Sequence, residues 1–191
     1  IKAVIIFNQS SKKYKDILVN GLCNGEDTFK GFKGLFLIPL KFEEYSFNTN
    51  ADLTLLLNKI ASTNPDIVLM LLDWRGSEYG QAKFRLLANG IPSQMVTISK
   101  IANSYGRSYT LENISLAIYA KIGGTPWTIK STTNDNSLIM GVSRSRDKSN
   151  QYTVGFVTIF NSDGDFIFMN SKAPVLEWEQ YLEGLTDLLK E

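Results

Sequence analysis

The chain has 191 residues, 43% of them hydrophobic and 20% charged, which places it with globular domains and apart from disordered chains. Its formal net charge is +1, so no overall field draws it to nucleic acid or to an anionic membrane, and any anion site has to be local. A single cysteine, Cys23, excludes an internal disulfide, and the lack of histidine excludes a Cys/His zinc cluster and a Ser/His or Cys/His nucleophile pair.

The opening "IKAVIIFN" is too short for a signal-peptide core and reads as a buried first strand, and no apolar run reaches the length of a membrane span. A reducing, cytoplasmic compartment is expected. The start without methionine and the close inside the helical pattern "EWEQYLEGLTDLLKE" are those expected of a segment of a longer protein.

Apolar runs then alternate with amphipathic stretches: "AVIIF", "KYKDILVNGLCN", "GLFLIPL", "ADLTLLLNKIAS", "DIVLMLLD", "GQAKFRLLANG" and "QMVTI". Such alternation predicts parallel strands covered on both faces, a Rossmann-like α/β domain over residues 1–130. Leu53, Leu56, Leu57 and Ile60 fall at helical spacing and are assigned to the core, with Pro65 stopping their helix. "GEDTFKGFKG" reads as a solvated loop, and "STTNDN", residues 131–136, as a polar connector between domains. From residue 137 to 191 three strand-like runs, "SLIMGVSRS", "YTVGFVTIF" and "GDFIFMNSK", precede a helix, with "NSDGD" as the turn between the second and third. This order opens a ribonuclease H-like sheet, although several α+β folds share it.

Within "SEYGQAKFRLLANGIPSQMV", Tyr79 and Lys83 are four residues apart and share a helix face, and Gln94 follows the turn Gly90–Pro92. A lysine, a phenol and an amide converging on one helix end suit a phosphate. On spacing alone, a snorkelling surface lysine beside a half-buried tyrosine accounts better for the pair.

The wider text shifts that balance. "GIPSQMV" followed by "NISLAIYAKIGGTPWTI" resembles the middle (MID) domain of the Argonaute and Piwi family and its junction with the PIWI domain. The resemblance covers the whole chain as MID plus the N-terminal part of PIWI. It implies that Tyr79, Lys83, Gln94 and Lys121 bind the 5′-phosphate of a short guide RNA or DNA, with the tyrosine ring also stacking on the first base. Where many relatives carry a further lysine this chain has Ala117, so a magnesium ion is the implied compensation, as in some archaeal relatives. Asn113 is a weaker candidate contact and reads equally as the N-cap of "ISLAIYAKI". The resemblance places Trp74 beside the first guide nucleotide, although it reads equally as a core or loop-packing residue, and makes Asp73 and Arg75 sources of first-base selectivity. Trp127 matches the junction motif, where packing is the expected role.

In slicing relatives the first PIWI strand carries a metal-binding aspartate, whereas "LIMGVSRS" has Ser143 there. Asp147, in "RSRDKSN", reads as a turn residue, and near the place of the family's mobile glutamate stand Ser171 and Lys172, with Glu177 and Glu179 in an exposed helical pattern. Guide and complementary target binding without cleavage is therefore expected, as in short prokaryotic members that pass the signal to an associated effector protein. Arg144 and Arg146 fit either backbone contacts to such a duplex or a charged strand edge. Two rival readings are a guided metal-dependent nuclease rebuilt around Asp147 and a small-molecule-binding Rossmann-like domain, although "FNQSSKKYKD" lacks a Gly-rich fingerprint.

Overall fold

The computed structural model describes residues 1–74, 76–127, 138–142, 145–146, 152–153, 157–170 and 178–190. They fall into two compact units, Ile1–Pro126 and Trp127–Glu191.

The first unit runs β1 (Lys2–Asn8), a 3-10 turn (Gln9–Ser11), α1 (Lys12–Asn24), α2 (Gly31–Phe36), β2 (Lys41–Phe47), α3 (Asn50–Thr63), β3 (Ile67–Leu72), α4 (Ser77–Ala88), β4 (Ser93–Thr97), α5 (Ile98–Ala102) and α6 (Arg107–Lys121). Its four strands form a wholly parallel sheet in the order β2-β1-β3-β4. The central strands supply side chains to both faces, as their continuous apolar runs require. Ala3, Ile5 and Phe7 of β1 pack with Leu18, Leu22, Phe32, Leu111 and Ile118 on one side. Val4 and Ile6 pack with Leu53, Leu57, Ile60, Ala82 and Leu86 on the other. The fold is the expected Rossmann-like sandwich.

Local chemistry sets the element ends. Thr49 and Asp52 form a reciprocal capping box at the start of α3, each side chain accepting from the other's backbone N–H at 3.1 Å. Asn64 in the left-handed region and then Pro65 end that helix.

Three expectations are corrected. "GLFLIPL" is not a strand: Gly31–Phe36 is the helix α2, and the second strand is the following "KFEEYSF". The apolar character of this region comes from Phe29 and Phe32, which are 4% and 0% exposed, so "GEDTFKGFKG" is only in part a solvated loop. The helix holding Asn113 begins at Arg107, with Gly106 as its N-cap, so Asn113 is interior to α6 and caps nothing.

In the second unit, β5 (Ile139–Val142), β6 (Ser145–Arg146), β7 (Tyr152–Thr153), β8 (Val157–Phe160) and β9 (Phe166–Asn170) precede α7 (Trp178–Lys190). The three expected strands form the antiparallel sheet β5-β8-β9, and β6 pairs with β7 as a separate ribbon. The turn between β8 and β9 is closed by Asn161, whose Oδ1 accepts from the backbone N–H of Asp163 and Asp165 at 3.0 and 2.8 Å, while Gly164 takes a φ of 86°. Ser143, Arg144, Asp147, Ser171, Lys172 and Glu177 lie outside the described residues, as does Arg75 in the first unit.

Candidate functional site: a lysine-lined cavity

A cavity of about 580 Å³ opens beside the carboxyl ends of β3 and β4, within the size range, roughly 300–1,000 Å³, of small-molecule sites. Leu72 ends β3 at its floor, α4 supplies Tyr79 and Lys83, β4 supplies Gln94 to Thr97, α5 supplies Lys100, and α6 supplies Tyr109, Thr110, Asn113, Ile114 and Lys121. Among the described residues three lysines line it and no carboxylate does.

The turn after α4 creates the central contact. Ile91 N–H returns to Leu86 O at 2.9 Å and Gly90 adopts a φ of 67°, so the chain reverses tightly and delivers buried Ser93 beneath α4. Lys83 Nζ donates to Ser93 O at 3.2 Å and to Ser93 Oγ at 3.1 Å. Lys121 Nζ, arriving from the last residue of α6, donates to the same Ser93 O at 2.8 Å and to Gln94 Oε1 at 2.6 Å. Gln94 Nε2 donates to Met95 O at 3.0 Å, which fixes the amide with its oxygen toward Lys121.

Two ammonium groups therefore share one neutral carbonyl. Burial, and after it the Lys83 charge, hold Lys121 below the ordinary lysine pKa. An anion entering the cavity would relieve both penalties. On α6 the positions 110, 113, 117 and 121 recur at helical spacing, so Thr110, Asn113 and Lys121 reach the cavity along a stripe that Ala117 interrupts without a polar group.

Tyr79, Lys83, Gln94, Lys121 and Asn113 are thus gathered at one cavity. Trp74 is not among its lining residues: it is 72% exposed and borders a separate hollow of about 60 Å³ with Asn8, Phe47, Asp73 and Glu78. Trp127 is 68% exposed. Sequence reasoning missed Ser93, Lys100, Tyr109 and Thr110. The recurrence 110, 113, 121 was available as a signal for Thr110, whereas Lys100 and Ser93 carry none outside the folded chain.

Fold and cavity together define a Rossmann-like α/β module with a lysine-lined cavity at the carboxyl ends of its strands. Residues 66–191 match the Piwi domain, and the chain belongs to the Argonaute and Piwi family. Over 124 residues it is 36% identical to the protein argonaute of Cereibacter sphaeroides, an alignment covering 59% of this chain and only 16% of that relative. Among solved structures, the MID-PIWI domains of the N. crassa QDE-2 AGO superpose with a TM-score of 0.63 at 14% identity, over 99% of this chain and 55% of that one. Marinitoga piezophila Argonaute, solved in complex with a 5′ OH guide RNA, superposes with a TM-score of 0.59 at 14% identity, over 100% of this chain and 32% of that one. These likenesses identify the two units' folds as those of MID and the start of PIWI.

Proposed function

We propose that the Ile1–Pro126 unit anchors the 5′-phosphorylated end of a short guide strand, RNA or DNA, for pairing with a target that the chain does not cleave. The observation that carries this reading is the convergence of Lys83 and Lys121 on one carbonyl oxygen in a cavity whose described lining holds no carboxylate. A terminal phosphate, with a charge of about −2 and three acceptor oxygens, matches that donor set better than a hydroxyl end does. Lys83 would exchange Ser93, and Lys121 both Ser93 and Gln94, for phosphate oxygens, Gln94 would stand beside the same phosphate, and Tyr79, half-buried against the α3–α4 core, would offer its ring to the first base. Family membership supports the guide strand as the bearer of that phosphate.

Absence of cleavage rests on Ser143 at the position where slicing relatives hold an aspartate, since a neutral hydroxyl is a poor magnesium ligand. An associated effector and a cytoplasmic setting belong to the same reading. The magnesium ion implied at the guide phosphate suits the residues present poorly: among the described residues no carboxylate lines the cavity, and the wall oxygens at Ser93 and Gln94 are neutral.

A small-molecule site at the sheet's switch point fares worse. In a doubly wound sheet such ligands sit where strand order reverses, between β1 and β3. The hollow there, at Asn8 and Leu72, is the one of about 60 Å³, too small for a nucleotide.

The deciding experiment measures binding of short single strands identical except for a 5′-phosphate or a 5′-hydroxyl, to wild type, Lys83→Ala and Lys121→Ala, at fixed salt with and without magnesium. A phosphate preference abolished by both substitutions is expected. Equal binding of the two ends would reject the anchor. Incubation of the loaded chain with a complementary target and magnesium or manganese should give no product, and cleavage opposite the guide would restore the nuclease reading.

A further inference from the structure

We infer that the cavity completes its positive charge with Lys100, in place of a divalent cation, so that a phosphorylated strand end and the phosphodiester next to it are held without magnesium. This rests on the guide-end reading above. Lys100 enters from α5, an element that supplies none of the other charged lining residues. Among the described residues it makes no hydrogen bond and no ion pair, unlike Lys83 and Lys121, so its ammonium has no bond to give up on meeting an anion.

The charge arithmetic fits a strand end. A terminal phosphate carries about −2 and a phosphodiester about −1, which three ammonium groups neutralise. Lys83 and Lys121 point at the same oxygen and so serve one phosphate, the terminal one. Lys100 is exposed and stands apart from that cluster's hydrogen bonds, as a contact to the following phosphate requires. Ala117 leaves the α6 stripe one charge short, and Lys100 restores the count from a different wall.

The same geometry opposes a dication. Magnesium requires a near-octahedral shell of oxygens and favours carboxylates. Among the described residues the lining offers no carboxylate, and the oxygens that Lys83 and Lys121 release on moving to a phosphate, at Ser93 and Gln94, are neutral. The Gln94 amide cannot turn away without also losing its bond to Met95 O. An added dication would face three like charges.

The test titrates a short 5′-phosphorylated strand and its 5′-hydroxyl twin with the full chain as wild type, Lys100→Ala and Lys100→Gln, in magnesium and in EDTA at matched ionic strength. Wild type should keep the same 5′-phosphate preference in both buffers, within about twofold. The Lys100 variants should bind the phosphorylated strand about three- to tenfold more weakly, with a salt slope shallower by about 0.7, the value of one phosphate contact on a single strand. Lys100→Arg should restore most of the affinity. A wild-type preference that disappears in EDTA would overturn the inference while leaving the guide-end reading intact. Unchanged affinity and slope in both neutral variants would overturn the role of Lys100. A wild type indifferent to the 5′ group in both buffers would instead reject the guide-end reading and the inference with it.

Discussion

Replacing Lys121 by Met removes the ammonium and keeps an unbranched side chain of similar length at the end of α6. Its value to a bound phosphate follows from its surroundings. Near a protein surface, opposite unit charges 4 Å apart attract by about 4 kcal/mol. To reach the phosphate Lys121 gives up its bonds to Ser93 O and Gln94 Oε1, 2.8 and 2.6 Å long, which cost about 1 kcal/mol each. The difference of about 2 kcal/mol is roughly thirtyfold in Kd. Fluorescence anisotropy with a labelled 5′-phosphorylated strand should show that loss, and the 5′-hydroxyl twin should lose less than threefold. Ser93 O keeps its bond from Lys83 and Gln94 Oε1 can take water from the cavity, so thermal unfolding of the unliganded variant should stay close to wild type. Equal losses for both strands, or a collapse in stability, would refute the reasoning, because Lys121 would then be a general backbone contact or a structural strut.

The lowered pKa of Lys121 predicts pH dependence. As pH rises through that value the ammonium is lost, so 5′-phosphate preference should decline below pH 10.5, the ordinary lysine value, and Lys121→Arg should abolish the alkaline decline; a profile flat in wild type to that pH would contradict it. Gly25 has a φ of 87°, and a Cβ there would lie 2.3 Å from Phe29 O, so Gly25→Ala should destabilise the fold by about 2 kcal/mol in urea unfolding. Arg107 grips Glu26 through Nε at 2.9 and 2.8 Å and Nη2 at 2.6 Å, and Arg107→Ala should cost about 1–3 kcal/mol of stability, with weaker strand binding because α6 carries part of the cavity.

The central strands were legible because burial on both faces leaves uninterrupted apolar text, as in "DIVLMLLD". The edge strand β2 was not, since "KFEEYSF" is largely exposed and looks polar, while the neighbouring apolar run serves a short helix that inserts Phe32 into the core. The i, i+4 pair Tyr79 and Lys83 could be placed on one face from spacing alone, and both do line the cavity. Bringing Lys121 to Gln94 took the family resemblance, because they are 27 residues apart in sequence. Lys100 escaped notice because α5 is only 5 residues long, too brief for a periodic pattern, and its aim is set by packing of Ile101 beneath it. The start of α6 was read too late because "GRSYTLEN" is polar and its N-cap is a left-handed glycine with no side chain to announce it.

The clasp between Arg107 and Glu26 moors the first turn of α6 to the loop after α1, and Lys121 moors its last turn to β4. On the proposed reading the second mooring is made by the same atom that would meet the ligand, so Lys121 Nζ would exchange Ser93 for the strand's phosphate while the Arg107 end of α6 keeps its partner. Immediately beyond lie Ile122, Gly123 with a φ of 90°, and Gly124, which lead out of the first unit at Pro126. On the proposed reading the cavity's occupant would become part of what holds the last turn of α6, while the clasp at its first turn stays as it is.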